Sequence, residues 1–111
     1  MIKINNRLYR ARTKVAKALA NKTRLQIVDI LAEGNYCVCE LTNILGVSQS
    51  SVSKHLEVLK LAGIVDSEKN GLNVIYNLRT PCVKTFFDCI DNILYKDLKR
   101  KEKELGLIKT D

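Results

Sequence analysis

The stretch between residues 46 and 78 constrains this chain most. Gly46-Val47-Ser48 separates two apolar-periodic segments, a short one over residues 38–45 and a longer one over residues 49–62. Glycine suits the left-handed position that ends a helix, and serine suits the N-cap that starts the next. In the second segment Val52, Leu56 and Leu59 stand at i, i+4 and i+7 and share one inward face, leaving Gln49, Ser50, Ser53 and Lys54 outward. Helix, tight turn and a second helix with a small, polar outer face is the layout of a helix-turn-helix, whose second helix enters the major groove of DNA. The spacing by itself also fits other helical hairpins. The continuation narrows the choice. Residues 64–69 and 72–78 read as strands, the second with Leu72, Val74, Tyr76 and Leu78 in alternation, and Asn70-Gly71 between them matches the type I′ turn of a tight hairpin. A hairpin directly after a recognition helix is a wing.

Upstream, Leu8, Ala11, Val15, Ala18 and Leu19 predict a helix over residues 7–20, and Leu25, Ile27, Val28, Ile30 and Leu31 a second over 22–33, stopped by Gly34 and Asn35. Downstream, Thr80 and Pro81 fit the N-cap and first position of a last helix carrying Val83, Phe86, Phe87, Ile90, Ile93, Leu94 and Leu98. That apolar face is too broad for one side of a small monomer, so part of it is expected against the first helix and part against a second copy of the chain. Asp97/Lys101 and Arg100/Glu104 at i, i+4 suit a solvated helix end. The expected fold is mainly α with a small β-hairpin: about five helices and a two-stranded wing. With 111 residues the chain has room for one domain, its core about residues 7–98, with a basic arm over 1–14 and a charged end over 96–111.

Charge points to the partner. Nineteen Lys and Arg against twelve Asp and Glu give a net +7, and eight of the cations precede the first acid, Asp29. The remainder is nearly neutral. A polyanion such as double-stranded DNA fits this balance. The basic segment reads either as a solvated helix face or as a phosphate-binding arm. No apolar run of signal-peptide length follows it, and no stretch reaches the ~20 apolar residues that span a bilayer. A cytoplasmic location without a membrane partner is therefore expected, with the four cysteines reduced.

At the level of local strings the chain resembles the arsenical-resistance repressor (ArsR/SmtB) family of winged-helix regulators. Residues 18–25, Ala-Leu-Ala-Asn-Lys-Thr-Arg-Leu, look like that family's entry into its second helix, and Cys37-Val38-Cys39-Glu40-Leu41 resembles its metal-binding signature. The run 47–56, continuing through Leu59, Ala62, Gly63, Ile64 and Val65, is similar to its recognition helix and first wing strand. The resemblance implies a homodimer that binds a palindromic operator and represses transcription until a soft metal ion or a thiol modification releases it, and it implies no enzyme activity and no cofactor for DNA binding. Residue chemistry agrees with the DNA side: Gln pairs with the adenine edge, Ser with bases or phosphate, Lys with guanine or phosphate. The candidate readers are Gln49, Ser50, Ser51, Ser53, Lys54 and His55, with Lys69 at the wing tip. His55, the single histidine, is more often packed or phosphate-facing at such a position than a metal ligand.

Sulfur supplies the candidate switch: Cys37, Cys39, Cys82 and Cys89. Residues 79–98 contain no histidine, so the family's zinc-type site on the last helix is absent. Thiolates select soft ions, and Cys37 and Cys39 fall where the chain enters helix three, whose unpaired N–H groups favour the thiolate. Side chains at i and i+2 point apart on a regular helix, so shared chelation requires irregular backbone there. In the arsenic-sensing members a third cysteine follows three positions after the second; here that position is Thr42. Cys82 and Cys89 lie about 10.5 Å apart along a helix, too far for a disulfide within it. Cys82 is expected near the second helical position, with its pKa lowered there, and Cys89, beside Phe86 and Ile90, as core or ligand. The expected inducers are As(III) or Sb(III) first, then Cd(II) or Pb(II). Two rivals are the same repressor switched by cysteine oxidation or persulfidation, and a small Cys-x-Cys oxidoreductase or metal carrier. The last has no use for a recognition helix and wing.

Overall fold

The computed structural model describes residues 2–106. They fall into two compact units, Met1–Pro81 and Cys82–Asp111.

The first unit holds α1 (Asn6–Leu19), α2 (Lys22–Glu33), β1 (Tyr36–Cys37), α3 (Val38–Leu45), α4 (Gln49–Leu61), β2 (Val65–Asn70) and β3 (Asn73–Leu78). Asn5 and Asn21 cap the first two helices, their side-chain oxygens accepting from the N–H groups of Leu8 and Arg24, each at 3.1 Å. The core is built from Ile27, Val28 and Leu31 of α2, Leu41 of α3, and Val52, Leu56 and Leu59 of α4, joined by Ala18, Ile64 and Val65. Each large apolar side chain removed from water there contributes about 1.5–3 kcal/mol. The helical residues of this core stand at positions that periodicity marks, whereas Leu8, Ala11 and Val15 of α1, marked in the same way, are exposed.

Two glycines set the turns around α4. Gly46 has φ 68°, the left-handed end of α3. At the other end, Ile64 N–H donates to Leu59 O and Gly63 N–H to Lys60 O, both at 3.0 Å, which is the paired bonding of a Schellman motif. Leu59 and Ile64, its two hydrophobic positions, are both buried. Gly63 carries φ 80°, and a Cβ there meets nothing nearer than Arg79 Nη1 at 3.9 Å. The cost of Gly63→Ala is thus conformational: we expect a loss of about 1–2 kcal/mol, read as a lowered midpoint in urea unfolding with unchanged slope. An unchanged midpoint would contradict this account of how the wing is launched.

The sheet differs from expectation in two ways. It has three strands in the order β1-β3-β2, all antiparallel, because Tyr36 and Cys37 pair with Tyr76 and Ile75. The hairpin register is also displaced. Asn70 pairs with Asn73, so the two-residue loop is Gly71-Leu72, not Asn70-Gly71. Gly71 has φ 66° and, among the described residues, no non-glycine has positive φ, which excludes a type I′ turn, where both loop residues need it. Leu72, expected in the strand, is a fully exposed tip residue. The other end fixes this register: Val65 pairs with Leu78, and Arg79 N–H donates to Ile64 O at 2.9 Å.

The second unit is α5 (Val83–Glu104). Its N-cap is Cys82, not Thr80: residues 81–82 form a turn, and the Cys82 carbonyl accepts from Thr85 N–H at 3.0 Å as the helix begins. Cys82 accordingly precedes the helix instead of occupying its second position. None of α5 is buried, and Phe86, Ile93, Leu94 and Leu98 are exposed. Cys89 is exposed as well, so it is not core. The Asp97–Lys101 pair forms at 3.1 Å. Of the charged end expected over 96–111, residues 107–111 lie outside the described residues.

Candidate nucleic-acid interface

Ser48 organises the start of α4. Its Oγ accepts from Ser51 N–H at 3.2 Å and stands 3.3 Å from Ser50 Oγ. This cap orients the first turn, where Gln49, Ser50, Ser53 and Lys54 are all exposed while Ser51 is half-buried. Behind them Val52, Leu56 and Leu59 lock the helix to the core. The arrangement offers one amide, two hydroxyls and one cation from a rigid helix end, suited to base edges and phosphates in a major groove.

His55 stands apart from the other candidates. It is half-buried, with Nδ1 3.2 Å from Arg24 Nη1. Arginine cannot accept, so the imidazole nitrogen does. Arg24 also donates from Nε to Ala18 O at 2.6 Å and from Nη2 to Lys17 O at 3.2 Å. One guanidinium therefore ties the end of α1 and the start of α2 to the recognition helix. Residue spacing did not expose this role, although Arg24 lies in the cationic N-terminal count. Lys60 was missed similarly: its Nζ donates to Ser67 Oγ at 2.6 Å, joining α4 to β2.

Burial, and secondarily the charge of Arg24, hold the His55 pKa below its ordinary 6.5. Protonation would remove the acceptor and set two cations side by side. The unfolded chain therefore takes up the proton first as pH falls. The contribution of the neutral ring to stability is complete above 6.5 and lost as pH drops from there through the lowered folded value. We expect the wild type to lose more stability than His55→Gln between pH 7.5 and 5.5; equal losses in thermal unfolding would refute the coupling.

At the wing, Lys69 and Glu68 are both exposed beside the Gly71-Leu72 tip, so this end presents no net cationic charge.

The Cys37–Cys39 segment has the irregular backbone that shared chelation requires. Cys37 is extended (φ −86°, ψ 168°) and is both the last residue of β1 and the N-cap of α3, while Cys39 already lies within the helix. Its surroundings are not those of an open helix end, however. The Cys37 N–H donates to Glu40 Oε1 at 3.0 Å, and this bond, with a second from the Cys37 thiol, lowers the Glu40 pKa. Cys37 is half-buried and Cys39 exposed. Thr42, in place of a third cysteine, turns its hydroxyl back to Val38 O at 2.8 Å. Among the described residues, no three His, Cys, Asp or Glu side chains gather into a metal site, so the two thiols here are at most a partial donor set. No helix among these residues is long and apolar enough to cross a membrane.

Comparison with known proteins matches residues 21–67 to the model of the bacterial regulatory protein, arsR family. An uncharacterized HTH-type transcriptional regulator of Methanocaldococcus jannaschii is 36% identical over 86 residues, covering 77% of this chain and 97% of that one. A cadmium resistance transcriptional regulatory protein CadC homolog of Staphylococcus aureus is 43% identical over 72 residues, 64% of this chain and 60% of that relative's length. Among solved structures, a homodimeric winged helix-turn-helix DNA-binding domain from Mycobacterium bovis, described as a possible ArsR-family transcriptional regulator, superposes with a TM-score of 0.74 at 29% identity, over 90% of this chain and 95% of that domain.

Proposed function

Because this chain belongs to the ArsR family of bacterial regulatory proteins, winged helix-turn-helix transcription regulators and not enzymes, we propose that it is a cytoplasmic, homodimeric repressor released from its operator by a thiophilic metal or metalloid ion. Each chain acts as a single winged helix-turn-helix domain. The observation that carries the reading is the capped, exposed first turn of α4, with Gln49, Ser50, Ser53 and Lys54 held outward by a fully buried opposite face. In a dimer the two α4 helices address half-sites about 34 Å apart. Gln49 and Lys54 read bases, Ser50 and Ser53 bases or phosphate, Ser51 and His55 support the helix against the backbone, and Lys69 approaches a phosphate from the wing. The exposed apolar side of α5 supports association with a second copy.

The ion is signal, not resident cofactor. As(III) or Sb(III) heads the order, then Cd(II) or Pb(II), since soft thiolates favour such ions. Cys37 and Cys39 supply two donors from one turn; Cys82 and Cys89 are the remaining thiols. Binding at Cys37 would act on two elements, because that residue joins β1, paired to the wing, to α3, the first helix of the reading pair. A shift of a few ångströms in either reader breaks simultaneous contact with both half-sites.

Competition binding tests the DNA half of this reading. The reduced dimer should prefer DNA upstream of its own gene over random duplex by about 10³-fold or more at moderate salt. A strictly monomeric protein without that preference would overturn it.

A further inference from the structure

We infer that the basic face of α1, formed by Arg7, Arg10, Lys14 and Lys17, is a second contact surface for DNA, gripping the phosphate backbone of the duplex that α4 reads. This rests on the proposed function and extends its footprint.

At about 100° per residue these four cations fall within about 80° of arc, and their ten-residue span rises about 15 Å. All four are exposed. Arg7/Arg10 and Lys14/Lys17 are i, i+3 neighbours and Arg10/Lys14 an i, i+4 pair, and each like-charged pair costs a few tenths of a kcal/mol in an isolated helix. Nothing on α1 offsets this, because no acid precedes Asp29. The other charged helix of the chain is built differently: in α5 Asp97 faces Lys101 at 3.1 Å and Glu102 faces Lys99 at 3.8 Å. The solvated face of α5 carries both signs. One that carries a single sign is complementary to an extended polyanion.

The end of the stripe is also tied to the helix that reads the duplex. The Arg24 guanidinium bonds Lys17 O, Ala18 O and His55 of α4, fixing the end of α1 against the recognition helix. Lys14, Lys17 and Arg24 line a hollow of about 250 Å³ together with Val58 and Leu61 of α4. The apolar positions Leu8, Ala11 and Val15 lie about 120° around the helix from the stripe's centre. A second copy covering them leaves the cations free. The rest of the chain is close to neutral and the wing tip has Glu68 next to Lys69 in sequence, so these residues carry much of the charge that duplex DNA, with one phosphate per ~1.7 Å of axis, would meet.

The test is the salt dependence of duplex binding by the full chain and by the triple variant Arg10→Gln, Lys14→Gln, Lys17→Gln. We expect the variant to remain a folded dimer. Its log K against log salt slope should be shallower by about 2–3 per chain, with affinity lost equally on operator and random duplex so that their ratio is kept. A second variant that exchanges charge for charge, Arg10→Lys with Lys14→Arg and Lys17→Arg, should retain the wild-type slope and so separates charge from helix damage. An unaltered slope in the triple variant overturns the inference, as does an unaltered slope with loss of binding to phosphatidylglycerol vesicles, which would assign the stripe to a lipid surface. If the wild type binds duplex without preferring its operator, the reading of α4 fails, yet the slope comparison still decides the role of α1.

Discussion

Replacing Gln49 and Lys54 together by alanine should lower operator affinity by about a thousandfold or more while leaving the fold intact. Each good base contact is worth about 1–3 kcal/mol, and a dimer loses two contacts at each half-site. At 1.4 kcal/mol per tenfold, even the lower end of that range summed over four contacts gives the stated loss. Both side chains are exposed, so their removal should change unfolding free energy by less than about 0.5 kcal/mol. Binding to random duplex should fall much less, since backbone charge dominates it. Fluorescence anisotropy on operator and scrambled duplexes reads both numbers. Retained operator affinity would remove α4 as the reading element and revive a thiol carrier built on Cys37 and Cys39.

The second large effect concerns the signal. Cys37→Ser with Cys39→Ser should bind the operator as the wild type does and show no release by As(III), Sb(III), Cd(II) or Pb(II). Serine keeps the shape but is a harder oxygen donor, which soft ions do not select. The wild type should weaken by the 5–150-fold typical of a 1–3 kcal/mol coupling between sites. Single serine variants, with Cys82→Ser and Cys89→Ser alongside, assign the remaining donors through metal stoichiometry under strict reduction. The redox rival predicts another pattern. There two thiols become a disulfide, giving two electrons and two protons to a peroxide, and soft ions leave the reduced complex untouched. Cys39, Cys82 and Cys89 are exposed thiols on which such chemistry can act.

What the sequence disclosed follows from range of interaction. Ser48 as cap, Gly46 as left-handed stop and the Val52-Leu56-Leu59 face are set within a few residues, and each stands where spacing places it. The hairpin was legible as a hairpin, but its register was not. Asn70-Gly71 is a strong local turn signal, and the pairing of Val65 with Leu78 moves the loop one residue onward. β1 has two residues and exists only through β3, so no periodicity can announce it. The Arg24 bonds to α1 and His55 depend on three helices meeting. The apolar neighbours of Cys89 suggest core, yet Cys89 and Phe86 are exposed and Ile90 is only half-buried. Likewise Pro81 belongs to the turn before α5 and not to its first position.

The most direct measurement is an anaerobic titration of the reduced protein on labelled operator with As(III), Sb(III), Cd(II) and Pb(II), each followed by a competing dithiol. The account predicts release by at least one of these ions at near-stoichiometric levels, reversal by the dithiol, and no response in the Cys37→Ser, Cys39→Ser variant. Operator binding that ignores all four ions while thiols stay reduced, and yields only to an oxidant, would contradict it.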